Sequence, residues 1–321
     1  AKLRDPGSTM SFEPLTEERI ETDSTYDAGT TTQLMWGARS DVGCVRPHNE
    51  DSYLVQSPLF CVCDGMGGHA AGEVASSIAV ETIAKTAPQS ADAARLAAAV
   101  EAANAAVIEA ALNGLGKPGM GCTATCAYIE NDTLAIAHVG DSRAYLLHEG
   151  TLIRVTRDHS YVEELVDAGE ITADEARVHP NRSVITRALG SDPAMYADHF
   201  TLHIEEGDRL ILCSDGLSSM IPDSDIENIA TQSSTAQICV DNLVDAALAA
   251  GGHDNVTVVV VDLVDDGIMR EAQRVRRRNV TIAAILALVF VLAAGIWAYT
   301  GVTGSYYLGT YKDTVAVYRG I

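Results

Sequence analysis

Three apolar runs of strand character meet an aspartate at one end, and this constrains the fold more than any other feature of the chain. Leu59-Phe60-Cys61-Val62-Cys63 runs into Asp64, and Leu210-Ile211-Leu212-Cys213-Ser214 runs into Asp215. In the third, Asp254-Asn255 opens the apolar run 256–261. A further acidic patch, Arg46-Pro47-His48-Asn49-Glu50-Asp51, lies upstream. Carboxylates at the mouths of buried strands are costly unless something positive gathers them. A pair of divalent metal ions would gather all of them at once.

A chain of 321 residues is long enough for one large domain or two small ones. With aromatics at 5%, its core must be built from Val, Ile, Leu and Ala. A net charge of −22 argues against nucleic acid as a partner, because phosphate backbones select basic faces. The seven cysteines show no paired CxxC spacing, which points to reduced thiols in a cytosolic core. Cys61 and Cys63, two apart in a strand, fill one face of it.

Residues 1–8 read as an expression scar and Met10 as a native start. Residues 11–32 are acidic, rich in Ser and Thr, and lack apolar periodicity, so 1–33 is assigned to a scar and a disordered leader. The folded domain is expected over 34–264. Helical spacing predicts helices over 72–87, 91–112 (with Ser90 as N-cap), 161–168, 173–178 and 237–250. Strands are expected over 59–63, 123–129, 133–139, 144–148, 152–155, 200–204, 209–213 and 256–263. Glu206-Gly207-Asp208 is read as a turn pairing 200–204 with 209–213. Strands in hairpin-like groups and helices in adjacent pairs favour an α+β fold: a layered sandwich of two antiparallel sheets flanked by antiparallel helix pairs.

Beyond the domain, Arg270, Arg274, Arg276, Arg277 and Arg278 mark a basic juxtamembrane linker, 265–279. Residues 280–299 form an uncharged run of twenty, about 30 Å as a helix, the thickness of a bilayer core. One transmembrane helix is therefore expected over 280–300. The arginines before it place the large domain in the cytoplasm at the plasma membrane, with a short extracellular tail over 301–321.

Nine stretches carry a resemblance: Arg46 to Asp51, Asp64-Gly65-Met66-Gly67-Gly68, Gly72-Glu73, Gly121-Cys122-Thr123-Ala124-Thr125, Val139-Gly140-Asp141-Ser142-Arg143, Asp158-His159-Ser160, Thr186-Arg187-Ala188-Leu189-Gly190, Cys213-Ser214-Asp215-Gly216-Leu217 and Asp254-Asn255-Val256-Thr257. In content and order they resemble the PPM family, the 2C-type metal-dependent Ser/Thr protein phosphatases, over roughly 34–263. The arginines, spanning helix and outer tail resemble the membrane-anchored bacterial members that oppose Ser/Thr kinases. Those members usually carry a longer outer domain, so the outer part here is short or shortened.

The resemblance implies hydrolysis of phosphoserine and phosphothreonine by a water bridging two divalent ions, Mn²⁺ or Mg²⁺, with a third, weaker one. Two such ions activate water and neutralise the phosphoryl oxygens. By resemblance Asp64 bridges both ions, the Gly65 carbonyl and Glu50 hold the second, and Asp215 and Asp254 hold the first. Asp141, with Asp215 shared, resembles the ligand of the third; a structural turn is its alternative. Arg46 is a planar, bidentate cation suited to clamping the substrate phosphate. Asp51 and Asn255 are placed behind these ligands, and Arg143 is read as an internal ion pair.

Met66 stands where eukaryotic members have a histidine thought to protonate the leaving group, and it has no proton to donate. His48 and His69 lie nearby in sequence. By resemblance, 161–193 forms a flap beside the catalytic groove. Phosphorylated proteins, Ser/Thr kinases and their substrates are the implied partners, and the chain is read as a monomer. The alternatives are a catalytically idle phosphoprotein-binding scaffold and a metal phosphodiesterase acting on a small nucleotide. Retention of all the core carboxylates speaks against the first, and the lack of a base-stacking aromatic cluster speaks against the second.

Overall fold

The computed structural model describes residues 24–30, 33–68, 71–264, 306–311 and 314–319, together with Ala287, Val291 and Tyr299. The chain divides into two compact units, Ala1–Val264 and Asp265–Ile321.

Alternation along the strands builds the first unit. In β4 (Leu59–Cys63), Leu59, Cys61 and Cys63 face one core while Phe60 and Val62 face another. β7 (Ala124–Glu130) and β8 (Thr133–Val139) divide their side chains in the same way. With β3 (Ser52–Gln56) and β11 (Asp198–His203) they form a five-stranded antiparallel sheet, order β11-β8-β7-β4-β3. The second sheet has six strands, order β1-β2-β13-β12-β9-β10. These are β1 (Ser24–Thr30), β2 (Leu34–Asp41), β9 (Arg143–His148), β10 (Thr151–Arg154), β12 (Arg209–Cys213) and β13 (Val256–Leu263). A two-stranded ribbon, β5 (Gly65–Met66) with β6 (Gly121–Cys122), adjoins the first sheet.

Each strand buried on both faces reads as a continuous apolar run, because both faces are covered. Phe60, Val62, Leu210, Leu212, Val259 and Val261 fill the space between the sheets. Outside the five-stranded sheet pack α1 (Ala71–Thr86) and α2 (Ala93–Leu112), whose alanines permit close approach. Outside the six-stranded sheet pack α6 (Asp223–Gln232) and α7 (Ala236–Ala249). The expected α+β sandwich of two antiparallel sheets between helix pairs is thus observed. Three short helices complete the unit: α3 (Tyr161–Asp167), α4 (Ala173–Val178) and α5 (Asp215–Ser218). All seven cysteines are free thiols; Cys61 and Cys63 lie on one strand face as expected, 3.6 Å apart at sulfur.

Three local readings are corrected. Residues Ser24–Thr30, assigned to the disordered leader, form the edge strand β1, held by backbone pairing to β2 and by Arg39 lying 5.3 Å over the Tyr26 ring. The strand beginning at Asp198 does not pair with β12; it pairs with β8 in the other sheet. β11 alternates exposure as an edge strand, whereas β12 is buried throughout, and the 205–208 turn crosses between the sheets. Finally, Asp92 rather than Ser90 caps α2, accepting from the Arg95 N–H at 3.0 Å.

In the second unit, β14 (Tyr306–Tyr311) and β15 (Thr314–Arg319) form an antiparallel hairpin within the segment read as an outer tail. The spanning helix expected over 280–300 falls outside the described residues except at Ala287, Val291 and Tyr299, which are helical. Among the described residues no helix is long and apolar enough to cross a membrane. The linker 265–279, residues 1–23 and His69 also lie outside them.

Candidate metal centre

Strand register alone brings the aspartates together. Cys213 stands opposite Arg143 on one side and Val258 on the other, so Asp141, Asp215 and Asp254 leave the six-stranded sheet at the same end. In the other sheet Ser52 faces Cys63, which sets Glu50 and Asp51 beside Asp64. Ala124 faces Val139, which brings Thr123 to the turn carrying Gly140 and Asp141. That turn joins β8 to β9 and so links the two sheets at this end.

The loop before β3 is tied in by side chains 163 to 213 residues away in sequence. Asn255 accepts the Glu50 N–H on Oδ1 at 2.8 Å and donates from Nδ2 to the carbonyls of Val42 and His48, each at 2.9 Å. Asp51 Oδ2 accepts from the Ser214 and Thr257 hydroxyls at 2.8 and 2.6 Å. The Thr257 N–H donates to Ser214 Oγ at 3.0 Å, closing the triangle. Asp64 is held through its backbone: its N–H donates to Thr123 Oγ1 and its carbonyl accepts the Thr123 N–H, both at 2.9 Å. Gly65 has no room for a side chain, since a Cβ would strike the carbonyls of Glu50 and Gly72. Arg46 donates from Nη2 to Asp254 Oδ2 at 2.7 Å, a pairing the sequence did not suggest. Arg143 pairs with Asp158 at 2.7 Å, the internal ion pair expected of it.

Electrostatically the cluster is under stress. Burial, then the charges of Asp51, Asp215, Asp141 and Asp254, push the Asp64 carboxyl well above the usual range. Burial and then Asp215 do the same to Asp141. Asp215 is raised to about 6, first by burial and then by Asp254, against a hydrogen bond with Asp64. Asp51 is raised to about 7 by burial, against its two hydroxyl donors.

Asp141 Oδ1 and Asp215 Oδ1 are buried and accept no hydrogen bond. Crowded carboxylates with unpaired buried oxygens lower their free energy by taking a cation, and an all-oxygen donor set suits a hard one such as Mg²⁺ or Mn²⁺. Among the described residues, no three His, Cys, Asp or Glu side chains stand close enough together to hold an ion as arranged. The donor chemistry suits the cation, while the side chains as arranged do not close around one.

A pH dependence follows. The folded carboxyls of Asp51, Asp64 and Asp141 hold protons to higher pH than the unfolded value of 3.8, so the folded chain binds more protons and its stability falls as pH rises through their folded pKa values. Buried His138, held down to about 4 by burial, acts oppositely only below its ordinary 6.5. Cys63, held down to about 5 by its hydrogen bonds with Cys122 and Cys61, acts oppositely across the interval, one group against the three carboxyls. In chelator the urea midpoint is therefore expected to fall between pH 6.5 and pH 8. An increase over that interval would contradict the burial of these carboxyls.

Four residues that hold the site in place were missed as functional: Thr123, Ser214, Thr257 and His159. Ser214 lies one position from Asp215 and Thr257 two from Asn255, while Thr123 and His159 lie in the quoted stretches Gly121 to Thr125 and Asp158 to Ser160; membership of those stretches is the available signal. Of the two histidines near Met66 in sequence, His48 is exposed and contributes its carbonyl, not its ring, to the Asn255 network.

Comparison with known proteins gives a concordant result. The family model described as protein phosphatase 2C matches residues 37–256. The serine/threonine protein phosphatase PstP of Mycobacterium tuberculosis is 43% identical over 244 residues, 74% of this chain. The alignment spans 46% of that relative's own length, about half of it. The serine/threonine phosphatase stp of Listeria welshimeri is 37% identical over 70% of this chain and 94% of its own. Among solved structures, the catalytic domain of PstP in complex with two manganese ions superposes with a TM-score of 0.67 at 40% identity, covering 73% of this chain and 99% of that one.

Proposed function

Because the chain belongs to the protein phosphatase 2C family, we propose that it hydrolyses phosphoserine and phosphothreonine in proteins with two divalent ions, Mn²⁺ or Mg²⁺. The observation carrying this reading is the convergence of five aspartates: burial and the neighbouring charges, Asp254 among them, raise the carboxyls of Asp51, Asp64, Asp141 and Asp215, and two buried oxygens are left unpaired.

On this reading Asp64 would be shared between both ions, Glu50 and the Gly65 carbonyl would serve one, Asp215 and Asp254 the other, and Asp141 with Asp215 a third, weaker one. When bound, such ions neutralise the phosphoryl oxygens and supply a nucleophile from water at neutral pH. Asp51 keeps Ser214 and Thr257, and with them the β12 and β13 ends, in register. Asn255 holds the loop bearing Arg46 and Glu50. Arg46, half-exposed at the rim, leaves Asp254 to form a forked pair with the incoming phosphate. Met66 offers no acid, so the proton for the leaving serine or threonine oxygen comes from solvent water or from another group at the site.

The twenty uncharged residues at 280–299 and the arginines before them support anchoring by one helix in the plasma membrane, with the phosphatase domain cytoplasmic. Phosphoproteins modified by Ser/Thr kinases are the substrates this reading favours, acted on by a monomer.

The test follows phosphate release from a phosphothreonine peptide by the full chain, stripped of metal and then titrated with Mn²⁺ and Mg²⁺. Turnover is expected only with metal. A folded chain that releases no phosphate with either ion would leave a phosphoprotein-binding scaffold as the reading, and preference for a cyclic nucleotide would make it a phosphodiesterase.

A further inference from the structure

His159 lies outside the aspartate cluster, yet it is the residue to which the Asp141 turn is fastened. Its own N–H donates to the Gly140 carbonyl at 2.7 Å, and the Gly140 N–H donates to its ring Nδ1 at 3.0 Å. A backbone amide is always a donor, so Nδ1 carries no proton and Nε2 carries it. Nε2–H in turn donates to Asp198 Oδ2 at 3.0 Å, and Asp198 Oδ1 accepts from Arg187 Nη1 at 2.6 Å. Arg187 lies 4.2 Å over the ring of exposed Tyr196 and donates to its hydroxyl.

The same residue closes the segment between α3 and Arg187. Its carbonyl accepts the Thr186 N–H at 2.8 Å, Ser160 bridges Ile185, and the Tyr161 N–H reaches the Val184 carbonyl at 2.9 Å. On the other side Gly140, at φ +110°, packs against Thr123 with no space for a Cβ. The Gly140–Asp141 turn is thus held between Thr123, which carries Asp64, and His159, which carries the foot of the 161–183 segment.

We propose that His159 is a positioning residue: through Nδ1 it sets the Gly140–Asp141 turn for cation binding by Asp141, and through Nε2 it separately anchors the Asp198–Arg187 pair at the foot of the flanking segment. The inference rests on the reading of Asp141 as a cation ligand. It is specific because one tautomer does both tasks with different atoms. The two tasks separate by substitution: an Asn amide oxygen replaces Nδ1 without reaching Asp198, and a Gln amide nitrogen replaces Nε2 without serving Gly140.

The experiment uses the full chain, with Mn²⁺ binding followed by the paramagnetic resonance of free Mn²⁺ and amide exchange followed over 158–198. His159→Gln is expected to weaken the weakest Mn²⁺ binding event about fivefold, the worth of one net hydrogen bond, and to leave exchange at 184–190 as in the wild type. His159→Asn is expected to leave Mn²⁺ binding within about twofold and to speed that exchange about tenfold. Asp198→Ala, which leaves the ring untouched, should follow the Asn variant and guards against misfolding of either ring variant. If all three variants move both readouts together, or none moves either, His159 is ordinary core packing and the inference falls. If the wild type binds no Mn²⁺ at all, the cation reading itself falls and takes this inference with it.

Discussion

Replacing Asp64 by Asn is expected to lower metal-dependent turnover by about a thousandfold or more, while raising the melting temperature in chelator. Asp64 is where the largest number of negative neighbours converge: Asp51, Asp215, Asp141 and Asp254 all raise its carboxyl pKa, on top of burial. Its backbone contacts with Thr123 do not involve the side chain, so they survive the substitution. Asn fills the same volume and cannot ionise. The loss of turnover follows because an amide is a poor bridging ligand, and metal stabilisation of a phosphoryl transition state is worth several kcal/mol, about tenfold per 1.4 kcal/mol. The gain in stability follows from removing one of several repelling carboxyls, and about 1 kcal/mol would shift the transition by roughly 3 °C. Scanning wild type and variant in chelator and in Mn²⁺ tests both halves. The order should invert, with the wild type gaining more from Mn²⁺, because a ligand stabilises only the form that binds it. A variant less stable than the wild type in chelator, or one that keeps its turnover, would refute the assignment.

The second large effect concerns stability alone. Arg209 is buried in β12 and donates from Nε and Nη2 to the two Asp262 oxygens at 2.6 and 2.9 Å. Its Nη1 reaches the carbonyls of Ala230 and Ser233, at the C-terminal end of α6. Arg209 and Asp262 face each other across neighbouring strands, so one ion pair fastens β12 to β13 and a helix end to both. Arg209→Ala strands the Asp262 charge and two carbonyls, and is expected to cost about 3–5 kcal/mol. The double change Arg209→Met with Asp262→Leu should recover most of that, since it leaves no unpaired charge behind. Urea denaturation in chelator measures both; a single variant within about 1 kcal/mol of the wild type would show that solvent reaches the pair and screens it.

How much of this was legible in the sequence differs between strands, pairings and contacts. β4, β8 and β13 were read to the residue, because each is an apolar run cut off by a charged or turn-forming neighbour. β1 was invisible because a polar edge strand is specified by its backbone pairing with β2 and not by an apolar face. Periodicity assigned the strand before the 205–208 turn its faces and not its partner, and the hairpin prior then chose the wrong sheet. At the site, the aspartates were legible because they interrupt buried strands. Ser214 and Thr257 were not, since a small hydroxyl holding Asp51 resembles any other strand residue. The Arg46–Asp254 contact spans 208 positions and rests on a loop conformation that no local pattern encodes.

The position of β13 has a consequence for how the protein comes into being. It lies between β2 and β12, so the first long strand of the domain waits for the last one before either sheet edge is covered. On the ribosome, a nascent chain that has emerged only as far as α7 exposes two unpaired edges in the six-stranded sheet and lacks Asp254 altogether. Such pairings of distant segments form late and slowly, because loop closure must precede any gain in contact. Open edges of this kind invite association with other chains until they are filled. The last strand of the domain to be translated thus completes the six-stranded sheet and brings Asp254 to the aspartate cluster in the same step, so an unfinished domain lacks part of the site proposed to remove phosphate.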